Sequence, residues 1–234
     1  MKNSAENIYE INEGYDVTAS DFIYDQLLLL QTTNTHSDKI NIALSGGTTP
    51  LPVLERLKDK KLDWLRFAFF MVDERCVPKN HPQSNYGNIE KAFFRFISSD
   101  SFPMINNADD IVSAEEAYTK LILQRVAQTG SGIPKFHLIV LGVGSDGHTA
   151  SLFPGTKALT EEKKLVVVND IPRQDIKRMT LTYPVLLNAE KIIVLAKGAD
   201  KKKIIEELYS DNSPDYPMLK IVQNRADVKW LLGN

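Results

Sequence analysis

Three short clusters carry side chains suited to chemistry: Ser45-Gly46-Gly47-Thr48-Thr49-Pro50, Asp73-Glu74-Arg75, and Gly142-Val143-Gly144-Ser145-Asp146-Gly147-His148. Each follows an apolar run. The glycines of the third admit two readings. As G-x-G-x-x-G they would cradle a dinucleotide, which requires a helix opening inside the loop and an acidic residue about 20 positions on. Asp170 meets the second requirement, but Pro154 and Gly155 interrupt any helix soon after Gly147. As a bend, the same glycines would deliver Asp146 and His148 from the end of a strand. Imidazole titrates near neutrality, so His148 can take a proton from water and return it to a leaving oxygen. Asp146 then either fixes the ring's tautomer or only holds the loop. A structural or merely exposed histidine fits the local pattern as well.

The Ser45–Thr49 turn suits an anion. Two glycines let backbone N–H groups approach a ligand. Thr49 stands where an N-cap belongs, with Pro50 first in the helix, and a helix N-terminus attracts negative charge. Pro50 and Pro52 lack an N–H, so donors must come from residues 46–49 and their hydroxyls. The G-K-[ST] of a Walker loop is missing, which points to a sugar phosphate rather than a nucleoside triphosphate. An ordinary strand-to-helix turn has the same spacing. In the second cluster, extended backbone would put Asp73 and Arg75 on one face and Glu74 on the other. A surface ion pair is the plain alternative. Three polar clusters at three strand ends make a shared cleft the better expectation.

The elements that must position these groups are legible as alternating patterns. Apolar runs at 40–44, 67–72, 136–141, 165–168, 191–196 and 218–222 read as strands. Amphipathic stretches at 17–32, 51–59, 85–98, 113–129 and 200–209 read as helices. Ser113 and Glu116 form a candidate capping box, and Gly130 a stop. Segments 169–178 and 210–217 read as surface loops. Such alternation predicts a mainly parallel sheet with helices on both faces, and ligands beyond the strands' carboxyl ends. No repeat or linker divides the chain, so residues 1–234 are expected to form one domain.

Composition narrows the partners. The chain has 234 residues and a net charge of −2, so no general basic field suggests nucleic acid or an anionic membrane. Any anionic ligand must be caught by local groups. The single cysteine, Cys76, excludes an intramolecular disulfide and a multi-cysteine metal site, and it reads as a small packed residue. The first residues carry no apolar core of signal-peptide length, and the expected location is cytoplasmic.

SGGTTP, VDERCVP with the downstream NHPQSNYGN, and GVGSDGHTASLFPG resemble, in order and spacing, the signature segments of the 6-phosphogluconolactonases. DIPRQDIKRMTLTYPVLLNAEKIIVLAKGADKK is similar to that family's last characteristic region, so the resemblance spans about 40–205. It implies a Rossmann-like three-layer α/β/α sandwich. It also implies hydrolysis of 6-phospho-D-glucono-1,5-lactone to 6-phosphogluconate in the oxidative pentose phosphate pathway, with neither cofactor nor metal. The glucosamine-6-phosphate deaminases/isomerases are similar but read DGHIAFNEPG, with a glutamate where this chain has Phe153, and MDEY where it has Val72-Asp73-Glu74-Arg75. Both departures favour the lactonase.

The resemblance also implies roles. Ser45, Gly46, Gly47, Thr48 and Thr49 would hold the phosphate, with Arg173, Arg178 and Lys201 as candidate cations. His148 would be general base, Asp146 its orienting partner and Arg75 the oxyanion stabiliser. Asp73 would position Arg75 or a sugar hydroxyl. Asn85 and Tyr86 would open the 85–98 helix and support the site's wall, and His81 is a candidate substrate contact. His36, His137, Lys202 and Lys203 are expected to have no such role. A deaminase/isomerase, a nicotinamide oxidoreductase and a non-enzymatic sugar-phosphate sensor are the competing functions.

Overall fold

The computed structural model describes residues 7–34, 39–172 and 174–234. Arg173 and His36 lie outside the described residues. The chain begins β1 (Ile8–Ile11), α1 (Tyr15–Thr33), β2 (Ile40–Leu44), α2 (Pro50–Leu57), β3 (Phe67–Met71) and β4 (Asp73–Arg75). It continues through α3 (Asn85–Ala92), β5 (Asp100–Phe102), α4 (Ile111–Arg125), β6 (Leu138–Gly142), β7 (Val166–Asn169) and β8 (Arg178–Leu181). It closes with α5 (Tyr183–Leu187), β9 (Ile192–Lys197), α6 (Ala199–Leu208), α7 (Pro217–Asn224) and β10 (Lys229–Gly233).

Seven strands form one sheet in the order β1-β10-β9-β6-β2-β3-β5, and every neighbouring pair is parallel. The sequences INIAL and FAFFM of β2 and β3 are buried at every position, as strands covered on both faces must be. The chain builds from β2 outward to β3 and β5, then returns to the other side of β2 for β6, β9 and β10. The switch in direction therefore falls between β2 and β6. In open parallel sheets the crevice at such a point, beyond the carboxyl ends, is where ligands bind. A separate antiparallel sheet, β4-β8-β7, packs the polar segments that leave β3 and β6.

Several elements differ from the sequence reading. Residues 218–222 are helical, not extended: Met218, Ile221 and Val222 are the buried positions of α7, spaced for a helix, with Pro217 at its start. The strand expected near there is β10, eleven residues further along. Segment 165–168 supplies β7, which pairs antiparallel in the small sheet rather than joining the parallel one. Asp110, not Ser113, caps α4; its carboxylate accepts from the Ser113 N–H at 3.1 Å, so the helix starts earlier and ends at Arg125. The 85–98 helix stops at Ala92 and gives way to a tight turn over Phe94–Phe96.

One buried tyrosine shows how the sheet releases the site. Beyond Phe70, β3 has no β5 partner. There Tyr118 Oη accepts from the Met71 N–H at 2.7 Å and donates to the Met71 carbonyl at 2.8 Å. The backbone groups are satisfied without a strand, and the chain can turn away as β4.

Candidate active site

The polar clusters meet at the switch point. The Ser45 N–H donates to the Val140 carbonyl and the Val72 N–H to the Leu44 carbonyl, each at 2.9 Å. The ends of β2, β3 and β6 are therefore side by side when their loops begin. Ser45–Pro50, Asp73, Arg75, Asn85, Gly142–Gly144, His148 and Ala150 line a cleft of about 260 Å³ with Lys197 and Lys201.

The turn carrying His148 is tightly bound to itself. Gly144 N–H donates to the His148 carbonyl at 2.8 Å, and Thr149 Oγ1 donates to the Gly142 carbonyl at 2.9 Å. His148 Nδ1 lies 2.5 Å from Asp146 Oδ1, which also accepts the His148 backbone N–H at 3.2 Å. A Cβ on Gly144 would stand 2.0 Å from Nδ1, so only glycine lets the imidazole lie this close to the backbone. Ala150 has φ 51°, the left-handed region that an L side chain adopts at a cost of roughly 1–3 kcal/mol. No helix opens at Gly147; the chain continues through turns and an isolated bridge between Thr149 and Leu152. The interruption expected from Pro154 and Gly155 is present, and Gly142, Gly144 and Gly147 bend the chain around an Asp–His pair.

Buried hydrogen bonds tie this turn to the small sheet. Ser151 Oγ donates to Asp73 Oδ2 at 2.6 Å, and the Ser151 N–H donates to Thr180 Oγ1 at 3.2 Å. Asn169 Nδ2 donates to the Ser151 carbonyl at 2.9 Å. Asp73 and Arg75 share the cleft face, and Glu74 points away, as alternation requires. Glu74 instead accepts the N–H groups of Asn85 at 2.7 Å and Tyr86 at 2.8 Å, closing the N-terminus of α3. Asn85 Nδ2 donates to the Asp73 carbonyl at 3.0 Å, and Arg75 Nη1 donates to the Gln83 carbonyl at 2.7 Å.

Burial pushes the Asp73 carboxyl above its ordinary value, against the Ser151 hydrogen bond and the charges of Arg75, His148 and Arg178. Burial acts upward on Asp146 too, but there the His148 hydrogen bond and charge outweigh it and hold the carboxyl low. Asp146 is thus a standing anion beside the ring. Burial pushes the Cys76 thiol up to about 11, so it is no nucleophile near neutrality.

At the other end of the cleft, Ser45 Oγ is buried without a hydrogen-bond partner among the described residues. Thr49 occupies the N-cap position of α2 but makes no side-chain cap, and the Leu51 N–H donates to the Gly47 carbonyl at 3.3 Å, so donors for a ligand come from the turn before the helix. Lys201 lines the cleft from the first turn of α6 and pairs with Asp200 at 2.8 Å. Lys197, which the sequence reading passed over, lines it too; its signal was its place at a strand's carboxyl end. Arg178 is not among the lining residues. It stands across from Arg75 in the β4–β8 register, with Nη2 donating to Gln174 Oε1 at 2.7 Å. His81 is also off the lining, and its Nδ1 accepts from the Gln83 N–H at 3.2 Å. His137 Nδ1 accepts from the Asn41 N–H at 3.0 Å, near the starts of β6 and β2, and is structural.

A family model described as glucosamine-6-phosphate isomerases/6-phosphogluconolactonase matches residues 18–230. The chain is 32% identical over 232 residues to a 6-phosphogluconolactonase of Thermotoga maritima, covering 97% of each chain. It is 34% identical over 195 residues to one of Synechocystis, covering 82% of this chain and 80% of the relative. The solved structure of the Thermotoga maritima protein superposes with a TM-score of 0.82, covering 97% of this chain and 99% of that one at 31% identity. The 6-phosphogluconolactonase of Trypanosoma brucei gives a TM-score of 0.83 at 28% identity, covering 97% of this chain and 95% of that one. With the fold, the cleft and the sequence in agreement, this chain belongs to the family of glucosamine-6-phosphate isomerases and 6-phosphogluconolactonases.

Proposed function

We propose that this protein hydrolyses 6-phospho-D-glucono-1,5-lactone to 6-phosphogluconate, the lactonase step of the oxidative pentose phosphate pathway. One observation carries the assignment of roles: His148, held at Nδ1 by Asp146, and the Ser45–Thr49 turn line the same cleft. A sugar with a phosphate at one end and an ester carbon at the other fits that separation of tasks.

The phosphate is held by the N–H groups of residues 46–49, the Ser45, Thr48 and Thr49 hydroxyls, and Lys201 with Lys197 beside it. Donors of the turn that leads into α2 and a nearby cation supply attraction that the net charge of −2 does not. Asp146 engages Nδ1 of His148, leaving Nε2 to take a proton from water as the water oxygen attacks C1. The carbonyl electrons move to oxygen, and the Arg75 guanidinium stabilises that oxyanion. The intermediate collapses with cleavage of the bond between C1 and the ring oxygen, which takes the proton back from the imidazolium. Asp146 stabilises the cation between the two transfers. Asp73 balances Arg75 and offers a carboxylate oxygen to a sugar hydroxyl. Arg178 supports Arg75's surroundings more directly than it reaches a phosphate. A phosphorylated, water-soluble substrate and a protonated, unpaired Cys76 fit a cytoplasmic setting.

The test is turnover of freshly prepared lactone with spontaneous opening subtracted, and glucosamine 6-phosphate as control. Wild type exceeds the blank on the lactone and does not deaminate the amino sugar. His148→Ala loses about 10²-fold or more in kcat while 6-phosphogluconate still binds. Wild-type turnover equal to the blank contradicts the function; near-normal turnover by His148→Ala contradicts the proton-transfer role.

A further inference from the structure

Phe153 lies face to face with the His148 imidazole, ring centres 4.0 Å apart and planes inclined by 23°. It belongs neither to the hydrophobic core nor to the partly buried apolar residues packed against that core. An aromatic ring that adds nothing to the core yet covers a catalytic imidazole calls for a role at the site. Its backbone is pinned. The Phe153 carbonyl accepts from Thr156 Oγ1 at 2.8 Å and from the Thr156 N–H at 3.2 Å. Asn169 Nδ2 donates to that same Thr156 oxygen at 3.0 Å and to the Ser151 carbonyl at 2.9 Å. One buried amide thus fixes both the segment that leaves His148 and the residue that stacks on it.

The imidazole has two freedoms to lose: swing about its bond to the backbone and rotation of its plane. Asp146 restrains the first by holding Nδ1 at 2.5 Å. A single edge contact leaves the ring free to roll about that contact. A flat ring parallel to it does not, and its electron-rich face also favours the imidazolium that forms during turnover.

We propose that Phe153 is a positioning residue for lactone hydrolysis, fixing the plane of the His148 imidazole so that Nε2 meets the attacking water. The inference rests on His148 being the general base. Its consequence falls on the chemical step and not on substrate capture, because Phe153 is absent from the lining of the cleft that receives the phosphate.

Phe153→Leu, which keeps apolar bulk and removes the ring, and Phe153→Tyr, which keeps the ring, test this in the full chain. Phe153→Leu lowers kcat about tenfold, since a small misplacement of a reacting group is costly. It leaves KM and inhibition by 6-phosphogluconate within about twofold. Phe153→Tyr retains most of the turnover. In the proton–carbon NMR spectrum, the His148 Cε1–H resonance, assigned by its loss in His148→Gln, sits upfield in wild type and Phe153→Tyr and moves downfield in Phe153→Leu. Unchanged kcat in Phe153→Leu, an equal loss in Phe153→Tyr, or a loss confined to KM overturns the proposal. Should Phe153→Leu not fold, a wild-type His148 resonance without upfield displacement overturns it alone. Wild-type turnover above the spontaneous rate separates failure of this inference from failure of the lactonase reading.

Discussion

Arg75 and Lys201 are both cations of one cleft, yet the proposed mechanism has them act at different moments. In the proposed mechanism Arg75 meets charge that exists only once water has added to the carbonyl. Arg75→Ala should lower kcat by about 10²–10³-fold, the range found when an oxyanion donor is removed. Arg75→Lys should restore only part of this, because an ammonium lacks the guanidinium's planar donors. A change confined to KM would contradict the oxyanion role. In the same mechanism Lys201 meets a phosphate that is charged before, during and after the reaction. Lys201→Ala should therefore raise KM about tenfold with little change in kcat, the signature of lost uniform binding. A fall in kcat at constant KM would place Lys201 at the reacting centre instead. At this scale the sequence was highly legible, because Gly-rich turns next to Ser, Asp, Arg and His are visible as letters. Lys197 and Ser151 were not: one is a lysine at a strand end, the other a serine whose partner Asp73 is far along the chain.

At the scale of elements, the small sheet β4-β8-β7 grips the site from behind, and Asp73 sits at its junction with the His148 turn. Burial raises the Asp73 carboxyl, so the folded state favours its protonated form more than the unfolded chain does. The stability this contributes is complete below the ordinary carboxylate value and is lost as pH rises through the folded one. Asp73→Asn keeps an acceptor for Ser151 but cannot ionise. Its thermal midpoint should therefore rise relative to wild type as the pH is raised above the ordinary carboxylate value. A gap that is constant, or that moves the other way, would contradict the direction assigned to Asp73. The sequence showed β2, β3, β6 and β9 because strands buried on both faces are continuous apolar runs. It misplaced α7, since MLKIV is too short for its periodicity to separate strand from helix. It also hid β4 and β5, whose three residues each are set by pairing rather than by propensity.

At the scale of the whole molecule, the parallel sheet brings together loops that lie about a hundred positions apart in sequence. The reversal of strand order between β2 and β6 puts the Ser45 turn next to the His148 turn, and β4, which follows β3, adds Arg75 at its side. Adjacency of this kind follows from strand order, which no local pattern encodes. Strand–helix alternation gave the fold class and the edge on which to look, and the neighbours had to come from the structure. The central claim is that one cleft anchors a phosphate with one loop while an imidazole on the neighbouring loop reaches the ester carbon. A crystal structure with 6-phosphogluconate bound tests it most directly. The account predicts phosphate oxygens on the N–H groups of residues 46–49 and on Lys201, with the C1 carboxylate between His148 Nε2 and Arg75. A ligand bound in the reverse sense, or outside this cleft, would contradict it.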